Sequence, residues 1–124
     1  MSEPLPIAAI EQLAQHVERR NLEAMRVVTG APGRLVPALF GTGAMTFGKY
    51  VLFRGGKYDV LSARGLALVA HESLHIGQYR EMGVPLFLLR YVWGAIRTGF
   101  KHDAHPMERE LVQRQREIRR ALSA

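Results

Sequence analysis

The 124-residue chain has no cysteine. That excludes disulfides, thiolate metal ligands and cysteine nucleophiles, so any metal site must draw on His, Asp, Glu or water. Long apolar runs are also missing. The longest, residues 84–96, is interrupted by Arg90, and a bilayer-crossing helix needs about 20 apolar residues. The first six residues lack a basic stretch followed by an apolar one, so no secretory signal is expected, and the expected location is cytoplasmic. Acidic residues are scarce, 11 against 17 Lys and Arg, for a formal charge of +6. Such a balance permits nucleic acid or anionic lipid as a partner. Yet no Gly-rich phosphate loop, RNA-binding signature or zinc finger accompanies it. The densest basic cluster, Arg114, Arg116, Arg119 and Arg120, reads as a solvated helix face, and a nucleic-acid partner is not expected.

What is present fits one globular domain: the length suits one, and 48% of the residues are hydrophobic. Ile10, Leu13, Val17 and Met25 recur near helical spacing and predict a helix over 7–28, stopped by the Gly30 to Gly33 region. Glycines then punctuate β-prone residues, predicting short strands near 44–47 and 49–53. Ser62 is placed to cap a helix reaching Met82, with Gly83 and Pro85 as its stop. A third helix over 85–98 and a last one starting at Pro106 and reaching Leu122 complete the pattern. The expected class is α+β: mostly helical, with a two- or three-stranded sheet preceding the helix over 62–82.

That helix carries His71-Glu72-Ser73-Leu74-His75. Two His four apart lie one turn apart on one helical face, where both imidazoles reach a single ion. Glu72 then meets a water on the metal rather than the metal itself. Zinc lowers the pKa of such a water toward 7 and polarises a carbonyl, while the carboxylate takes the proton. Chance yields the bare pattern in roughly one chain in seventy of this composition, so context has to decide. The flanks 66–70 and 76–78 carry no charge, as a buried site requires and a solvated face does not.

Three ligands are needed, and Glu81 stands where an extended motif would place a third His. The candidates downstream are His102, Asp103, His105, Glu108 and Glu110. Leu111, Val112, Ile118 and Leu122 define the inward face of the last helix. Glu108 projects within about 40° of its centre, and Glu110 well over 100° away. An inward carboxylate needs a metal or a partner. Its other reading is the N3 position of a capping box. Glu110 reads as a solvated acid paired with Arg114, and His102, Asp103 and His105 as connector residues able to replace Glu108.

HExxH with a later Glu on a separate helix resembles the gluzincin-type zinc peptidases, and the short chain resembles their compact members, the minigluzincins. It is also similar to small HExxH domains of bacterial extracellular-injection loci. The matching stretches are residues 44–53, 68–78 and 105–110. The resemblance implies a zincin-like fold, zinc on His71, His75 and Glu108, Glu72 as the base, and the strand near 49–53 as a rim that pairs with an extended peptide. His105 stands where the family has Asn, and Leu111 where it has a small residue.

The expected function is zinc-dependent peptide hydrolysis, with a peptide or protein as substrate. The alternative is a non-catalytic zinc- or peptide-binding module of the same fold. Tyr79, Tyr91 and Arg90 are candidate oxyanion donors. The apolar helix over 85–98 is expected to pack behind the zinc helix. If exposed, it would serve a membrane or, by preference, a homodimer.

Overall fold

The computed structural model describes residues 2–30, 35–37, 42–99 and 105–123. Along the chain run β1 (Ser2–Pro4), α1 (Ile7–Leu13), α2 (Arg19–Ala24), β2 (Arg26–Val28), β3 (Ala44–Phe47), β4 (Tyr50–Phe53), α3 (Ala63–Met82), α4 (Val84–Arg97) and α5 (Arg109–Ser123). The class is α+β and mostly helical, as expected.

The sheet is larger than expected. It has four strands in the order β1-β2-β4-β3. The short strands expected near 44–47 and 49–53 are present, as is the turn expected at Gly55-Gly56, and the two strands pair as a hairpin, with Phe47 opposite Tyr50 across a turn at residues 48–49. Of the two further strands, Arg26–Val28 lies in the segment expected as helix, and Ser2–Pro4 lies where no element is expected. The helix expected over 7–28 breaks after Leu13, and Arg26–Val28 leaves it to pair with β4, Val27 beside Val51. Val27 and Val28 are β-branched and fit a pleated surface better than a helix. Pairing beside β4 satisfies their backbone groups while Val27 and Val51 are both buried. Ser2–Pro4 then adds antiparallel to β2, and its proline is tolerated on the outer strand.

α3 threads the middle of the molecule. Ser62 caps it as expected, its Oγ accepting from the Gly65 N–H at 3.0 Å. Leu66, Ala67, Val69, Ala70 and Ile76 are buried in the core with Leu13, Leu22, Met25, Val27, Val51 and Ile118. Each large apolar side chain so enclosed contributes about 1.5–3 kcal/mol. α1, α2, β3, α4 and α5 all pack against α3. Residues in its middle are therefore surrounded, and their polar groups must find partners inside the protein.

Gly83 ends α3 at φ 81°, a conformation that L side chains rarely adopt, and its carbonyl accepts from the Phe87 N–H in the first turn of α4. α4 therefore follows with no intervening loop. It packs on α3, Phe87 stacking on Tyr79 with ring centroids 3.7 Å apart, but on the side of His75 rather than behind it, because Phe87 and Tyr91 meet that imidazole. Its opposite face is exposed. α5 starts at Arg109 rather than Pro106. Residues 106–108 form a turn in which the His105 carbonyl accepts from the N–H groups of Glu108 and Arg109. Among the described residues no helix is long and apolar enough to cross a membrane.

Candidate metal centre

His71 and His75 sit one turn apart on α3, their ring centroids 5.1 Å apart. Both rings are buried and point toward the start of α5. Glu108 comes to meet them. Its Oε1 lies 2.9 Å from His71 Nε2 and 2.8 Å from His75 Nε2. All three are buried, their ligand atoms lie within 4.8 Å of one another, and the group can hold a metal ion.

The capping-box reading of Glu108 does not hold. Glu108 directly precedes α5, and its carbonyl accepts from the Val112 N–H. Its carboxylate instead serves the two imidazoles and Tyr91, whose hydroxyl donates to Oε2 at 2.5 Å. The other third-ligand candidates fall away or fall outside view. Glu110 is exposed, and Arg114, its expected partner, donates instead to the His16 carbonyl. His102 and Asp103 lie outside the described residues. His105 is buried but stands beside the group. Its Nε2 donates to the Tyr91 carbonyl at 2.6 Å, and its Nδ1 accepts from the Met107 N–H at 3.0 Å. Its ring stacks on Tyr91 at 4.1 Å. Gly94 makes this approach possible, because a Cβ there would come 2.7 Å from the His105 ring.

Glu72 is buried next to the group without joining it. Its Oε1 accepts from the Thr46 hydroxyl of β3 at 2.9 Å, and its Oε2 lies 3.8 Å from His71 Nε2. Tyr79 secures that strand, donating from its hydroxyl to the Thr46 carbonyl at 2.9 Å. Burial pushes the Tyr79 hydroxyl pKa up to about 12. Of the three candidate oxyanion donors, only Tyr91 reaches the His71–His75–Glu108 group. Tyr79 is committed to β3, and Arg90 faces solvent.

Residues 4–83 match the family model of the eCIS core domain, named for the extracellular contractile injection system. The chain belongs to the eCIS core domain family. The match bears out the link to injection loci. It spans β2, the hairpin and α3, and so takes in Thr46, His71, Glu72, His75 and Gln78. Tyr91, His105 and Glu108 lie beyond it. No curated protein and no solved structure matches the chain.

The chemistry of this chain's donor set fits a metal. His75 Nδ1 lies 2.9 Å from Gln78 Oε1. A carbonyl oxygen only accepts, so Nδ1 carries a proton toward Gln78, and Nε2, which donates to Glu108 here, is the nitrogen left to bind an ion once its proton is lost. Such an outer partner is what orients a ligating His. Bonds of about 2.0–2.1 Å in a tetrahedron set ligand atoms roughly 3.3 Å apart. Glu108 Oε1 lies closer than that to both imidazole nitrogens, so an ion would enter only as the carboxylate drew back and the imidazole protons between them were lost.

Charge is balanced by a proton when no ion is present. Desolvation lowers the His75 pKa, but the Glu108 carboxylate, with Glu72 and Gln78, outweighs it and raises the pKa above the ordinary 6.5. Burial alone would raise Glu108. The two imidazoles bonded to it hold it well below the carboxylate range. Tyr91 is pushed far up by burial and by the adjacent Glu108 charge, and so keeps its proton to donate.

Sequence reasoning missed Thr46 and the roles of His105 and Gly94. Thr46 meets Glu72 across 26 residues, and no local pattern announces that contact. Gln78 had a readable signal, since a residue three beyond a helical His lies on the same face. The strand expected as a peptide rim also needs correction. β4 is inside the sheet, paired on both edges by β2 and β3, and the outer strand beside the site is β3.

Proposed function

We propose that this eCIS core domain is a zinc-dependent peptidase in which Glu72 is the general base. The observation that carries the reading is the Glu108 carboxylate seated on both HExxH imidazoles, with Glu72 held apart from it by Thr46. Two imidazoles and one carboxylate form a ligand set suited to catalytic zinc. Zinc held by His71, His75 and Glu108 supplies a Lewis acid that polarises a carbonyl and lowers the pKa of water toward 7.

The remaining steps belong to side chains of this chain. Thr46 occupies Glu72 Oε1, which leaves Oε2, on the His71 side, to take a proton from the attacking water and pass it to the leaving amine. The outer edge of β3 offers backbone groups to an extended peptide, and Thr46 ties that edge to the base. Tyr91, protonated and at the site, is the donor nearest to a developing oxyanion, and it would meet one by turning its hydroxyl away from Glu108 Oε2.

A second reading has one observation in its favour. His71, Glu72, His75 and Glu108 are only 2–4% exposed, as in a closed structural zinc site that performs no hydrolysis. Elemental analysis together with a peptide-library assay separates the two. The peptidase reading expects one zinc per chain, cleavage by wild type, and loss of cleavage with retained zinc in Glu72→Gln. Zinc without turnover, with a melting temperature that falls sharply on chelation, would establish the structural role instead.

A further inference from the structure

α4 presents an unusual outer face. At 100° per residue, Phe87, Gly94 and Tyr91 fall together on the side that meets the rest of the protein. The opposite arc carries Leu88, Val92, Ile96, Leu89, Trp93 and Leu86, every one exposed. Leu89 is 69% exposed, Trp93 60% and Ile96 55%. Scattered exposed leucines are ordinary, but a continuous apolar arc along a whole helix marks an interaction surface. Arg90 and Arg97 project side by side along one rim of the arc, and Val84–Arg97 contains no acid.

We infer that the outer face of α4 docks on an anionic lipid surface, the helix lying in the plane of the interface. Charge and area both favour this occupant. A basic rim without acids complements anionic headgroups, and the net charge of +6 adds to the attraction. Leu, Ile, Val and Trp on the lipid side match the make-up of helices that bury one face at the headgroup boundary. A second copy of the chain fits less well. Fourteen residues make a helix about 21 Å long. One face of it falls short of the roughly 800 Å² per partner that a stable dimer buries. A bilayer sets no such threshold, because each apolar side chain inserts on its own account. Docking would also bring the metal centre close to the membrane, since Tyr91 and Phe87 project from the inner side of the same helix.

Trp93 is the only tryptophan, so intrinsic fluorescence reports this face directly. The test adds phosphatidylcholine vesicles, with and without phosphatidylglycerol, to the full chain, followed by fluorescence and co-sedimentation. The expected result is a blue shift and sedimentation with the phosphatidylglycerol vesicles, falling as salt is raised. Arg90→Gln and Arg97→Gln should each weaken binding about fivefold. Leu89→Gln with Ile96→Gln should abolish it while the circular dichroism stays that of wild type. Equal binding to both vesicle types would overturn the inference, as would no binding to either. A concentration-dependent blue shift without lipid, accompanied by dimers in ultracentrifugation, would assign the face to self-association instead.

Discussion

Replacing Glu108 separates its metal-binding role from its part in stability. The carboxylate is 2% exposed and takes His71, His75 and Tyr91 as partners. Glu108→Ala removes all three contacts, opens a cavity and strands a raised-pKa His75 without its counter-charge. Removing one member of a buried charged pair costs about 3–5 kcal/mol. In a chain of this length that is a fall in melting temperature of roughly 10–20 °C. Glu108→Gln should behave differently. The amide keeps the volume, its oxygen still accepts from Tyr91, and its NH₂ can donate to an imidazole lone pair. The metal-free protein should therefore lose only about 1 kcal/mol. Both variants, however, lose the one anionic ligand. Removing an outer-shell partner weakens metal sites 10–100-fold, so losing a direct ligand should exceed about 100-fold. Thermal melts in chelator give the first quantity, and competition against a zinc-binding dye gives the second. Glu108→Gln with wild-type zinc affinity would refute the three-ligand site. Glu108→Ala as stable as wild type in chelator would refute the buried ion cluster.

Four further outcomes are expected. The metal-free protein should be most stable between about pH 4.5 and 6.5. The depressed Glu108 contributes stability above 4.5 that is lost as pH falls through its folded pKa. The raised His75 contributes below 6.5 and loses it as pH rises through its own. Zinc reverses the second slope: affinity should rise with pH as His75 gives up its proton, read by calorimetry in buffers of different ionisation enthalpy. Gln78→Ala should keep the fold by circular dichroism yet weaken zinc binding about 10–100-fold, because His75 loses its tautomer-fixing partner. Gly94→Ala drives a Cβ to within 2.7 Å of the His105 ring. It should cost about 1–3 kcal/mol in denaturant unfolding.

Much of this protein follows from short-range pattern. The cap at Ser62, the break at Gly83, the β3–β4 hairpin and the one-turn spacing of His71 and His75 are each dictated by neighbours within a few residues. Glu108 was reachable too, since helical periodicity aims it inward and burial obliges an acid to find a partner. Other features depended on chain segments brought together from afar. Val27 and Val28 sit at the end of a helical pattern, and only the presence of β4 alongside turns them into a strand. That placed β4 inside the sheet and made β3 its edge. Thr46 reaches Glu72, and His105 packs into the notch at Gly94, through contacts with no local periodicity. The exposure of α4 is of the same kind. Its sequence is apolar nearly all round, and whether such a helix is enclosed depends on how many neighbours the rest of the chain supplies. Here α3 and the turn at His105 cover one side, and the described residues leave the other to solvent. Spacing along one helix is local geometry and can be read from sequence. The identity of the groups that meet it is a tertiary outcome, because it depends on the summed burial of every element at once.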